Sequence, residues 1–215
     1  MKKHLLTGLF LIAAFAVFTI LVCTVDVSPI GRMGSDVGFS ALNSSVNSFF
    51  GQHEGLYDFT EKLGYTAFLV IGCFGLLGIY QLITRKSLFK VDRDIIALGI
   101  FYIVVLGLYV LFEKAVINYR PPFMGDETLE ASYPSSHTLL MVSVMATAIM
   151  QIVKRFSKKS VKILLVSICT VLGASVIIGR MCCGVHWFTD IIAGVILAAG
   201  LSELYLAAAL TTQKK

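Results

Sequence analysis

Residues 179–190 read Gly-Arg-Met-Cys-Cys-Gly-Val-His-Trp-Phe-Thr-Asp, and they stand between two apolar runs at residues 163–179 and 187–210. Each run approaches the roughly 20 residues that carry an α-helix across the ~30 Å hydrocarbon core of a bilayer. A guanidinium, an imidazole and a carboxylate thus gather at a membrane boundary. An ionised group costs roughly 2.5–3.5 kcal/mol at the bilayer centre, so such a cluster is by default a functional hypothesis. With a helix starting near His186, His186 and Asp190 lie four residues apart on one face, where the carboxylate holds one ring nitrogen and fixes the tautomer. Arg180 adds a planar fork of donors suited to phosphate or carboxylate oxygens. On this stretch alone, a structural salt bridge between Arg180 and Asp190, with His186 a boundary residue, remains open.

Outward from this stretch, 57% of the 215 residues are apolar and only 14% charged, and the mean hydropathy is +0.84. The apolar residues form continuous runs rather than stripes, which excludes a soluble helical core and points to a membrane protein. Six runs stand out, at residues 5–25, 65–83, 95–112, 135–153, 163–179 and 187–210. They predict one all-α polytopic domain over residues 1–215 with six transmembrane helices. The first run is longer than a signal-peptide core and lacks a small-residue cleavage site, so it reads as an uncleaved helix. The net charge of +5 lies in short connectors and describes topology, with no nucleic-acid partner expected. Thirteen of the 18 Lys and Arg residues fall on one side if both termini are cytoplasmic; Arg32, Lys62, Lys114, Arg120 and Arg180 fall on the other.

The connector at residues 26–64 is the longest polar segment. Leu42, Val46, Phe49 and Phe50 recur there at helical spacing and predict a helix lying along the membrane surface. Tyr57, Phe59 and Trp187 suit an interfacial aromatic belt, and Glu203 suits a pair with a connector lysine. Cys23, Cys73, Cys169, Cys182 and Cys183 have no metal-ligand spacing and read as small packing residues. The acidic piece at residues 126–130 reads as a solvated loop.

Three segments converge on the outer face: Lys114 with Arg120; Tyr133-Pro134-Ser135-Ser136-His137; and Arg180, His186 and Asp190. Lys114, Arg120 and Arg180 supply positive charge for a phosphate dianion and for the charge that develops on a transferring phosphoryl group. Pro134-Ser135-Ser136 predicts a helix N-terminus whose free N–H groups take an anion. Of the two histidines, one attacks phosphorus and the other gives a proton to the leaving oxygen. No carboxylate cluster with metal-ligand spacing occurs, so the expected chemistry is metal-independent and needs no cofactor.

These residues resemble the type 2 phosphatidic acid phosphatases, whose membrane branch has six helices and whose signature is KxxxxxxRP, PSGH and SRxxxxxHxxxD. Here stand Lys114 with Arg120-Pro121, then Pro134-Ser135-Ser136-His137, then Gly179-Arg180 with His186 and Asp190. The resemblance implies that His186 is the nucleophile, forming a phosphohistidine, with Asp190 orienting it and His137 the general acid. It implies that Lys114, Arg120, Ser135, Ser136 and Arg180 bind phosphate. The implied partners are the bilayer and a lipid phosphate: phosphatidylglycerophosphate, phosphatidic acid or undecaprenyl pyrophosphate. The Lys and Arg bias puts the site at the outer face of a cell membrane, and the small size and charge plan look bacterial. Three positions depart from the signature. Five residues rather than six separate Lys114 from Arg120, so that Glu113 holds the lysine position; Ser136 replaces a glycine; and Gly179 replaces a serine. A phosphotransferase with a lipid or sugar acceptor, an inactive homologue, or a transport protein are the other functions these residues allow.

Overall fold

In a bilayer each backbone N–H and C=O must be satisfied within its own segment, so continuous apolar runs become helices. The computed structural model describes residues 1–123 and 128–211; Asp126 and Glu127 of the acidic piece, and the terminal Lys214 and Lys215, lie outside them. Seven α-helices occur among the described residues: α1 (Lys2–Thr24), α2 (Ser40–Phe50), α3 (Glu54–Arg85), α4 (Arg93–Lys114), α5 (Ser136–Arg155), α6 (Lys159–Cys182) and α7 (Phe188–Thr211). All but α2 are long and apolar enough to cross a membrane, which makes this a multi-pass membrane protein with six spans.

α5 is the most enclosed span, packed against α6 and α7 and touched by α3 and α4, while α1 lies along α7. Leu98, Leu140, Met141, Val144 and Val176 fill the main core, and Phe15, Val22, Tyr133, Leu139 and Leu197 a second one beside α1. Leu6, Phe10, Phe68, Leu69, Ile103 and Val171 point outward from the outer ring of helices, the normal disposition where lipid is the solvent.

Four expectations change. α3 begins at Glu54, eleven residues ahead of the apolar run, because Asp58, Glu61 and Lys62 interrupt hydropathy without interrupting the helix. The surface helix exists as α2, with Leu42 and Phe49 exposed, but its buried side is polar: Asn43 bonds Gly38 O and Thr189 Oγ1 at 2.8 and 3.0 Å. Of the aromatic belt only Phe59 is exposed; Trp187 is buried and donates to Tyr119 O at 2.8 Å, and Tyr57 lies against Arg180. Glu203 pairs with His4 at 2.7 Å rather than with a connector lysine, because α1 and α7 run side by side. That pair puts the start of α1 and the end of α7 at one end of the bundle. The ends of α4 and α6 and the starts of α5 and α7 meet at the opposite end.

Candidate active site

Asp190 sits in the first turn of α7, fully buried, with both oxygens engaged. Oδ1 accepts from Asn118 Nδ2 at 3.1 Å; Oδ2 accepts from Ser132 Oγ at 2.5 Å and from the Trp187 backbone N–H at 2.9 Å. The three bonds fix the carboxylate and offset the cost of burying it. His186 lies in the turn two residues ahead of α7, and its Nδ1 is 3.7 Å from Asp190 Oδ2. Ser132 Oγ bridges them, 3.2 Å from Nδ1, so the carboxylate holds the ring largely through this hydroxyl. Nε2 is buried without a hydrogen-bond partner among the described residues. Burial, first, and the nearby charges of Arg120, Arg180 and His137 hold the His186 pKa well below its ordinary 6.5. The neutral imidazole follows, with Nδ1 tied and Nε2 carrying a free lone pair.

Asn118 and Ser132 come from the connector between α4 and α5. Its two limbs run antiparallel, joined by Ser132 N–H to Asn118 O at 3.0 Å and Arg120 N–H to Glu130 O at 3.2 Å. The same limb carries Arg120, whose Nη1 meets Glu130 Oε2 at 3.0 Å while Nε is buried without a partner among the described residues. Buried Arg32 ties this loop to the first connector, donating from Nη1 to Thr128 O at 2.6 Å.

Arg180, near the end of α6, is fully buried. Its Nη2 is paired with Glu61, its guanidinium carbon lies 5.2 Å from the centre of the Tyr57 ring, and Nε and Nη1 have no partner among the described residues. Glu61 also takes His137 Nε2 at 3.2 Å. Gly179 explains its own departure from the signature: a Cβ there would run into Thr60 Cγ2, so a serine would push α3 away from α6.

A cavity of about 540 Å³ opens beside these groups, walled by Tyr57, Glu61, Tyr109, Glu113, Arg120 and His137 among others. Ser135 caps α5 by position, and its buried hydroxyl accepts from Thr138 at 3.0 Å. Its N–H goes to Asp190 O at 3.0 Å, which ties the start of α5 to α7. Ser136, on the cavity wall, opens α5, and the first N–H groups of that helix have no partner within it. Among the described residues, no group of three or more His, Cys, Asp or Glu side chains is placed to hold a metal ion.

Of the predicted residues, His137, Arg120, Arg180, His186, Asp190, Ser135 and Ser136 come together, and Lys114 does not. Lys114 is the last residue of α4 and is exposed, whereas Tyr109 and Glu113, four apart on one face, line the cavity. A one-residue offset is about 100° of rotation, which turns Lys114 away. Arg180 bonds Glu61 and Asp190 bonds Ser132 and Asn118, so the simple Arg180–Asp190 salt bridge is not the arrangement here. Sequence reasoning missed Glu61, Asn118 and Ser132. The available signal was the spacing of Tyr57, Glu61 and Gly64 on a helical face, which a hydropathy break concealed.

Residues 97–213 match the family model described as PAP2 superfamily. Among solved structures, a transmembrane PAP2 type phosphatidylglycerolphosphate phosphatase from Bacillus subtilis is similar over 97% of this chain and 98% of its own, with TM-score 0.69 and 17% identity. Aquifex aeolicus LpxE matches with TM-score 0.44 and 16% identity over 81% of this chain and 96% of its own. No curated protein matches by sequence. With more than half its length matched by the family model, this chain belongs to the PAP2 superfamily.

Proposed function

We propose that this protein is a membrane phosphatase that removes phosphate from a lipid phosphate or pyrophosphate through a phosphohistidine on His186. One observation carries the reading: a buried imidazole with Nδ1 tied to Ser132 and Asp190 and a free Nε2, surrounded by Arg120, Arg180 and His137. Nε2 attacks phosphorus as the ester oxygen departs. Nδ1–H then leans on Ser132 and Asp190, which stabilise the charge the ring acquires. The unpartnered N–H groups of Arg120 and Arg180, with the first N–H groups of α5 and the Ser135 and Ser136 hydroxyls, take the phosphoryl oxygens. His137 supplies the proton to the leaving oxygen, and water then releases phosphate from His186.

An apolar surface for the lipid part of the substrate lies along the other half of the same two helices that wall the cavity. Facing sides of α3 and α4 form an apolar groove of about 420 Å³ walled by residues such as Phe74, Ile79, Ile95 and Ile103, and the phosphate cavity is walled by the same two helices nearer their other ends. Such a groove suits an acyl or isoprenoid chain that enters from the bilayer. The bias of Lys and Arg toward the opposite end of the bundle supports a site on the outer face of a cell membrane.

The test is phosphate release by purified protein in detergent with EDTA, from phosphatidylglycerophosphate, phosphatidic acid and undecaprenyl pyrophosphate. Release should persist in EDTA and disappear in His186→Ala, and an acid-labile phosphoryl adduct should be trapped on His186 during turnover. Release that survives His186→Ala would discard the nucleophile assignment, and the ranking of the three lipids would name the substrate.

A further inference from the structure

The two histidines of the site are held in matching ways by different carboxylates. His186 has Nδ1 tied through Ser132 to Asp190 and Nε2 buried without a partner. His137 has Nε2 tied to Glu61 at 3.2 Å, and its Nδ1 is buried without a partner among the described residues. Each ring thus has one nitrogen anchored and one open, and the second anchor stands on α3, outside every motif of the sequence reading.

Building on the phosphatase reading above, we propose that Glu61 is the positioning residue of the acid half, orienting His137 so that Nδ1 delivers the proton to the leaving oxygen. α3 is shaped for this contact. Tyr57, Glu61 and Gly64 lie along one face at helical spacing: Tyr57 packs on Arg180, and Glu61 spans Arg180 and His137. Gly64 makes room for the imidazole, since a Cβ there would come within 2.8 Å of His137 Cδ2. The two oxygens of Glu61 divide the work, Oε1 on His137 and Oε2 on Arg180, so that the acid and a phosphate-binding cation are set relative to each other by one side chain.

In the first step the His186 Nε2 lone pair forms the N–P bond and the P–O ester bond breaks. Its electron pair goes to the leaving oxygen, which takes the proton from Nδ1 of the His137 imidazolium while Nε2–H stays on Glu61. In the second step water attacks phosphorus and gives a proton to the now neutral Nδ1, and the N–P electron pair returns to His186. Both rings end as they began.

Leaving-group dependence separates this role from a structural one. Glu61→Gln should lower kcat on phosphatidic acid, whose alkoxide must be protonated, by about 10- to 100-fold. Turnover of p-nitrophenyl phosphate, whose phenolate departs without a proton, should fall less than about threefold. Adding Glu61→Gln to His137→Ala should lower kcat no further, because proton delivery runs through that ring, while the lost hold on Arg180 shows in KM. Equal losses on both substrates, or losses that multiply in the double variant, would overturn the assignment. Should Glu61→Gln fail to fold in detergent, Glu61→Asp, which keeps the charge on a shorter arm, should show the same selectivity for the poor leaving group. A wild type that releases no phosphate, or a fully active His186→Ala, would instead overturn the phosphatase reading itself.

Discussion

The bundle buries charged groups at both ends and treats them in opposite ways. At the end near the termini, Asp94 is 3% exposed and accepts from Lys154, Arg155 and Gln151 at 2.8, 3.0 and 3.1 Å. Asp92 accepts from Arg85, Arg155 and Gln81, and Arg85 above all holds its carboxyl at about 2. No buried side-chain nitrogen or oxygen of this group lacks a partner among the described residues. At the other end Arg120, Arg180, His137 and His186 each leave a buried nitrogen open. A closed network clamps helices together, whereas an open one stores unmet hydrogen-bonding capacity for a ligand. That capacity, more than the presence of charge, distinguishes the candidate site from the clamp.

Four substitutions or conditions would break or sharpen this contrast. The largest effect belongs to the open end: Asp190→Asn should lower phosphate release by about 10²- to 10⁴-fold, by losing the tautomer and charge support of His186, with little change in thermal unfolding. A melting transition that fell with activity would make Asp190 a clamp residue instead. Asp94→Ala at the closed end should do the reverse, costing roughly 2–3 kcal/mol of stability in detergent while the folded fraction keeps its kcat. A selective loss of kcat there would erase the contrast between the ends.

The pH dependence of stability comes next. The folded pKa of His186 lies below its ordinary 6.5, so between those values the unfolded chain binds more protons than the folded one. The contribution of His186 to stability is therefore complete above pH 6.5 and is lost as pH falls below it. The unfolding midpoint should drop from pH 7 to pH 5, and His186→Gln should flatten that slope; an unchanged slope would show that the ring is charged in the fold. Smallest of all is Lys114→Ala, which should leave kcat and KM within about twofold, as for an exposed side chain away from the cavity. A tenfold rise in KM would return Lys114 to the phosphate site.

Much of the site was legible because its chemistry is concentrated in short segments. Arg180, His186 and Asp190 keep their spacing, Pro134-Ser135-Ser136 does begin a helix, and Arg120 does reach the cavity. What escaped came from segments whose residues look ordinary in line. Ser132 and Asn118 belong to a connector, and only its antiparallel folding brings them to Asp190, 58 and 72 residues away in the chain. Glu61 stands ahead of the apolar run at residues 65–83 and so read as connector, although α3 starts at Glu54 and passes straight through it. Lys114 was misplaced by rotation alone, since its neighbour Glu113 takes the inward face.

From the sequence alone came the six spans, the all-α class and the pair of histidines on which the proposal rests. Hydrophobic length is a one-dimensional property, and helices are the only open-chain answer to an unsatisfied backbone in lipid. The tertiary structure alone decided which nitrogen of each histidine stays open, which carboxylate holds each ring, and which cations reach the cavity. Those choices depend on helix rotation and on contacts between distant segments, which spacing along a chain does not encode.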